Sequence, residues 1–143
     1  MAWIKIKTKK AAKEITLSVN RTNFPGLSSY YSGECVAPTK GDNWVNCHTG
    51  GNGSITVNLG TFNTKGYTKL IFNCSSNNWG RNIPSDRLYC NGIAQQYINR
   101  QGSTSVTVNI GKRDTSSAYL QCAFIPNDDA WVRVQINSVT FVP

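Results

Sequence analysis

The segment Ile55 to Cys74, ITVNLGTFNTKGYTKLIFNC, constrains the fold of this chain more than any other. Ile55, Val57 and Leu59 alternate with Thr56 and Asn58, the period of a strand with one apolar and one polar face. Gly60 ends the run. Lys65-Gly66 then offers a turn, because glycine takes positive φ without steric cost. Leu70, Phe72 and Cys74 share the next apolar phase, against Lys69, Ile71 and Asn73. A weaker copy follows: VTVNIGKRD, from Val106 to Asp114, echoes ITVNLGTFN, and Tyr119 to Phe124 takes the place of Tyr67 to Cys74. Two such strand-turn-strand units in one chain predict two sheets facing each other across one core.

The 143 residues fit a single domain, 1–143, long enough to bury a sizeable core. Charged residues make up only 15%, and polarity comes from Asn, Ser, Thr and Gly, which suits short strands and turns rather than a helical bundle. Alternation predicts further strands at Trp3–Lys7, Ile15–Val19, Arg87–Cys90, Ile93–Ile98 and Trp131–Phe141, the last bent at Asn137-Ser138. Only Lys9 to Glu14 has helical character. Pro25-Gly26 predicts a type II turn, and Asn91-Gly92 a hairpin. Ser28 to Gly53 and Ser75 to Ser85 read as polar loops, the first with at most short strands near Tyr30-Tyr31, Glu34–Val36 and Trp44–Cys47. The fold class that follows is all-β, a two-sheet jelly-roll β-sandwich of about 8–10 short antiparallel strands.

The net charge is +8, with Lys5, Lys7, Lys9, Lys10, Lys13 and Arg21 near the start of the chain. Such a balance can favour nucleic acid or acidic surfaces, but no cluster reaches the density of a nucleic-acid arm, so nucleic acid ranks as the least favoured partner. The start of the chain has no apolar signal-peptide core, which predicts synthesis in a cytoplasm, with association to a virion open, or else a processed or recombinant form. No run reaches the ~18 apolar residues of a membrane helix, so no membrane insertion is expected. Five cysteines form no CxxC pair and no zinc spacing. Cys74 and Cys122 fall on apolar strand phases and read as buried thiols. Cys35 and Cys47 flank a loop and could approach each other closely enough for a disulfide.

Catalysis finds little support. The one histidine, His48, follows Cys47 directly, and adjacent loop residues rarely give a nucleophile–base geometry. Glu34, Asp42 and Asp86 are the candidate carboxylates for glycoside hydrolysis, but nothing in the sequence ties them together. Binding is better supported. Tyr30, Tyr31 and Trp44 sit in one polar stretch and Asn77, Asn78, Trp79 and Arg81 in another, while Gln96 and Tyr97 fall on a predicted sheet face. Aromatic faces stack on the C–H patches of a pyranose, and amides and guanidinium groups hydrogen-bond hydroxyls directionally. The predicted ligand-binding residues are therefore Tyr31, Trp44, Asn77, Asn78, Trp79, Arg81, Gln96 and Tyr97. Trp3 and Trp131, on strands, read as core plugs.

Ile55-Thr-Val-Asn-Leu-Gly, Gly66 to Phe72, Tyr119 to Phe124 and the closing Val134-Gln-Ile-Asn-Ser-Val-Thr-Phe141 resemble the galactose-binding-like jelly rolls and β-sandwich carbohydrate-binding modules. Domains of this kind are also similar to small modules of phage tail and baseplate proteins that attach to bacterial surface saccharides. The resemblance implies a jelly roll, a saccharide partner met by loops at one end, no catalysis and often a structural calcium ion. Acidic residues to hold calcium are scarce here, so no cofactor is expected. The function that follows is a non-catalytic glycan-binding module in a phage tail, virion or surface attachment complex, with other virion subunits or further copies of the chain as possible partners. The alternatives are a structural assembly protein without a small ligand, and a basic nucleic-acid-binding protein.

Overall fold

The computed structural model describes residues 12–79, 86–124 and 130–143. Nine antiparallel strands run through them: β1 (Ile15–Ser18), β2 (Ser28–Lys40), β3 (Trp44–Asn63), β4 (Lys69–Trp79), β5 (Asp86–Cys90), β6 (Ile93–Tyr97), β7 (Gln101–Asn109), β8 (Thr115–Phe124) and β9 (Trp131–Val142). They form a jelly-roll sandwich of two layers. The predicted strand Trp3–Lys7, residues 9–11 of the Lys9–Glu14 segment and Arg81 lie outside the described residues; Ala12 to Glu14 form no helix.

One layer, here called A, runs β7-β4-β9, with the first part of β3 and then β1 taking the far side of β9. The other, layer B, runs β6-β5-β8 and the second part of β3, edged by the first part of β2. Strand β3 belongs to both. Trp44 to His48 pair with β9, and Gly53 to Asn63 pair with β8. The residues between, Thr49-Gly-Gly-Asn52, turn the corner, and β2 turns with them. Side chains would obstruct that corner: a Cβ on Gly33 would stand 2.4 Å from the Asn52 carbonyl oxygen, and one on Gly53 2.6 Å from that of Ser32. The glycine-rich stretch that reads as a loop is thus a pair of strands switching sheets, and β3 runs for 20 residues where only short strands are predicted.

The two echoed units are arches rather than hairpins. Each sends its first and second strands to different layers: β3 to B and β4 to A, then β7 to A and β8 to B. This is why their apolar phases face each other. Ile55, Val57, Leu59, Leu88 and Leu120 from layer B meet Leu70, Phe72, Val132, Val134 and Ile136 from layer A, all fully buried. Cys74 and Cys122 are buried as the sequence predicts. Asn91-Gly92 forms the predicted hairpin, with φ of 52° and 77°. At Phe24–Leu27 the Leu27 N–H donates to the Phe24 carbonyl at 2.9 Å, but Gly26 keeps a negative φ, so the turn is not type II.

Candidate functional site

The outward face of layer A carries the polar phase of the same strands that build the core. In WVRVQI of β9, Val132, Val134 and Ile136 point inward, which turns Trp131, Arg133 and Gln135 outward. Register brings three rows together. His48, Trp131 and the Trp79 backbone are level; Asn46, Arg133, Asn77 and Gln101 form the next row; Trp44, Gln135, Ser75 and Ser103 the third. A groove of about 330 Å³ opens over Ser75, Ser76, Asn77, Arg133 and Gln135.

A chain of hydrogen bonds fixes the floor of this groove. Arg133 Nη2 donates to Gln135 Oε1 at 3.0 Å, and Gln135 Nε2 donates to Asn137 Oδ1 at 2.7 Å. Asn137 Nδ2 donates in turn to Asn73 Oδ1 at 3.0 Å and to Ser75 Oγ at 2.6 Å. Asn137 reaches this face because β9 bulges there: Asn73 pairs with Ser138 and Cys74 with Ile136, leaving Asn137 as the extra residue. The bend predicted at Asn137-Ser138 is this bulge, and it places a polar group over the groove while Ile136 and Val139 stay in the core.

Trp44 is half-buried: the Arg133 guanidinium lies 4.3 Å over its ring, and its indole packs so closely on Gly41 that a Cβ there would collide with it. Trp131, predicted as a core plug, is 48% exposed, with the His48 ring edge-on to it at 5.2 Å. His48 is accordingly a strand residue beside an aromatic surface, not an exposed loop histidine. The strict alternation of WVRVQI was the signal for Trp131, Arg133 and Gln135; it identifies the outer face as directly as the core.

The other predicted site residues divide. Asn77 lies in the groove, on β4 rather than in a loop. Trp79 pairs with Trp131 in the β4–β9 ladder. Asn78 points the opposite way from Asn77 and is 2% exposed; its Nδ2 donates to Asp86 Oδ1 at 3.2 Å, so it is a core residue and no ligand contact. Tyr31, exposed on β2 opposite Ile55, stands at the edge of layer B. Gln96 and Tyr97 are on β6 at the other edge of that layer, where the Arg87 guanidinium covers the Tyr97 ring at 4.5 Å. These three stand on layer B and not on the face of layer A that carries the groove.

The candidate carboxylates do not converge. Asp86 is buried between the layers, accepting from Ser76 Oγ and Asn78; Asp42 pairs with Arg21 at 3.3 Å in the approach to β3; Glu34 lies over Gly51 at the corner. No group of three or more His, Cys, Asp or Glu gathers among the described residues. Cys35 and Cys47 do approach, within hydrogen-bonding reach, and both are free thiols. Burial, and secondarily contact with Cys35, raises the Cys47 pKa well above the ordinary thiol range.

No protein-family model matches the chain, and no curated protein does. Among solved structures, a family 29 carbohydrate-binding module, a mutant complexed with mannohexaose, aligns with a TM-score of 0.50 at 6% identity, over 90% of this chain and 93% of that one. A family 35 module from Clostridium thermocellum aligns with a TM-score of 0.43 at 16% identity, over 90% and 98%. An acetyl xylan esterase from the rumen bacterium Butyrivibrio proteoclasticus aligns at 0.43 and 14% identity, over 91% of this chain but 32% of the esterase. At 6% identity the likeness to the family 29 module shows the fold alone: this chain has a jelly-roll β-sandwich like that of a carbohydrate-binding module.

Proposed function

We propose that this protein is a non-catalytic carbohydrate-binding domain and that the outer face of layer A is its binding surface. One observation carries the reading: a half-exposed tryptophan, Trp131, stands beside a groove whose floor is a fixed array of amide, hydroxyl and guanidinium groups. An indole face takes the C–H side of a sugar ring, and the array takes its hydroxyls. Because these groups stand on strands and hold one another, little side-chain freedom is lost on binding. The fold likeness to a carbohydrate-binding module whose mutant is complexed with mannohexaose supports the same reading. Among the described residues no carboxylate lines the groove, and the Ser75 hydroxyl accepts from Asn137, which favours binding over catalysis. Attachment to a surface saccharide as part of a phage tail or other virion belongs to this proposal, supported by the sequence resemblance and tested by the identity of the neighbouring genes.

Calorimetric titration against mannan, xylan, cellulose and bacterial surface oligosaccharides tests the binding. Trp131→Ala is expected to weaken it at least about tenfold, equivalent to ~1.4 kcal/mol. Tyr97→Ala, on the other layer, is expected to bind as the parent does. No binding to any saccharide, or full binding by Trp131→Ala, overturns the proposal.

A further inference from the structure

We infer that the groove selects glycans bearing carboxylates, uronate residues, and that Arg133 is the group that reads them; this rests on the glycan-binding reading above. Arg133 has no acidic partner among the described residues. Among the described residues the one ion pair joins Arg21 to Asp42, and none of the residues lining the groove is acidic. Its guanidinium lies over the Trp44 ring, an arrangement that leaves the in-plane N–H edge available for hydrogen bonds. One N–H of that edge goes to Gln135 Oε1, a neutral acceptor. The fork has five donors, and its preferred partner is a carboxylate met by two parallel bonds.

The surroundings hold this fork in place. Trp44 supports it from one side, braced in turn by Gly41. Gln135 anchors it along the strand through Asn137, Asn73 and Ser75. Asn46 and Asn77 flank Arg133 in register on the neighbouring strands, one on each side. Neutral amides beside a single fixed cation suit a sugar ring that carries one carboxylate and several hydroxyls. The net charge of +8 adds attraction at long range without setting the position of the carboxylate.

The test compares an oligogalacturonate with the same oligosaccharide after its carboxyl groups are reduced to primary alcohols, each titrated into the full chain. The carboxylate form is expected to bind at least about tenfold more tightly, a margin set by a charge-assisted hydrogen-bonded pair. Added NaCl should narrow that margin. Arg133→Gln should reduce it to within about twofold, whereas Lys65→Gln, which removes one positive charge from an exposed turn, should preserve it. Equal affinity of the wild-type protein for both forms overturns the inference while leaving glycan binding intact. A margin that survives Arg133→Gln removes Arg133 from the role and reduces the effect to net charge. Binding to neither form, nor to any neutral glycan, defeats the underlying reading as well.

Discussion

At the scale of single residues, the alternation of strands decides which polar groups can meet a ligand. Asn77 and Asn78 are neighbours in sequence, yet one lies in the groove and the other is sealed in the core. Ser76, Asn78 and Asp86 form a small buried polar bridge from β4 in layer A to β5 in layer B. Asp86 accepts from both partners. Its removal would leave a buried hydroxyl and a buried amide without their acceptor, and such orphaned groups are costly. Asp86→Ala is accordingly expected to destabilise the fold by about 2–4 kcal/mol in urea titrations. A loss under about 1 kcal/mol would mean that the cluster is not held as described. Trp44 and Trp131 show the same logic on the surface. Each sits in the outward phase of its strand, and what separates them is the neighbour: Trp44 lies between Arg133 and Gly41, while Trp131 makes a T-shaped contact with the His48 ring.

At the scale of elements, the site depends on where β3 changes layer. Its first five residues extend the outer face of layer A, bringing Trp44, Asn46 and His48 alongside β9. Its later residues build layer B. The corner between them requires Gly33, which has a φ of +72° and no room for a Cβ against the Asn52 carbonyl. Gly33→Ala is expected to cost at least about 3 kcal/mol. Gly92→Ala, at a similar φ of +77° but with nothing within 4 Å of the added methyl, should cost only about 1–2 kcal/mol. Thermal melts of the two variants separate steric contact from backbone preference; similar losses would show the corner to be open. Much of this layer of organisation was legible in the sequence. The alternations at Ile55–Leu59, Leu70–Cys74, Tyr119–Phe124 and Trp131–Ile136 each mark a real strand and its core phase. The stretch from Ser28 to Gly53 was not legible, because glycine and asparagine signal turns whether the chain ends a strand there or bends one between sheets. Nor could local alternation show that the echoed units are arches: a turn between two strands looks the same whether they pair with each other or with strands from elsewhere. The site followed the same limit. Asn77 and Trp44 were visible as polar-stretch residues near aromatics, but their meeting with Arg133 and Gln135 rests on β9 pairing with both β3 and β4.

At the scale of the whole molecule, the two layers are closed over sulfur as well as hydrocarbon. Cys47 and Cys74 enter the core from layer A, and Cys90 and Cys122 from layer B. Burial in this apolar interior disfavours the thiolate. The Cys74 pKa is pushed up to about 12, and that of Cys90 to about 11, where burial outweighs the pull of the Arg113 charge. On layer B, burial and then the neighbouring Tyr89 and Tyr30 raise the Tyr119 phenol above its ordinary 10.0. In each case the native state keeps a proton that the unfolded chain releases, from pH 9.0 for the thiols. Their contribution to stability is therefore complete below about pH 9 and declines as pH rises towards the folded values near 11 and 12. The urea midpoint should hold steady up to pH 8.5 and fall progressively to pH 11.5. Cys74→Ala should lower the midpoint throughout, because it leaves a small cavity, yet flatten its decline with pH, because one of the groups driving the decline is gone. A midpoint independent of pH across that range would show that the thiols ionise as readily folded as unfolded, and so that water reaches the space between the layers. The same measurement bears on binding: a groove whose floor is the outer surface of this dry core keeps its amide array fixed only while the layers remain closed beneath it.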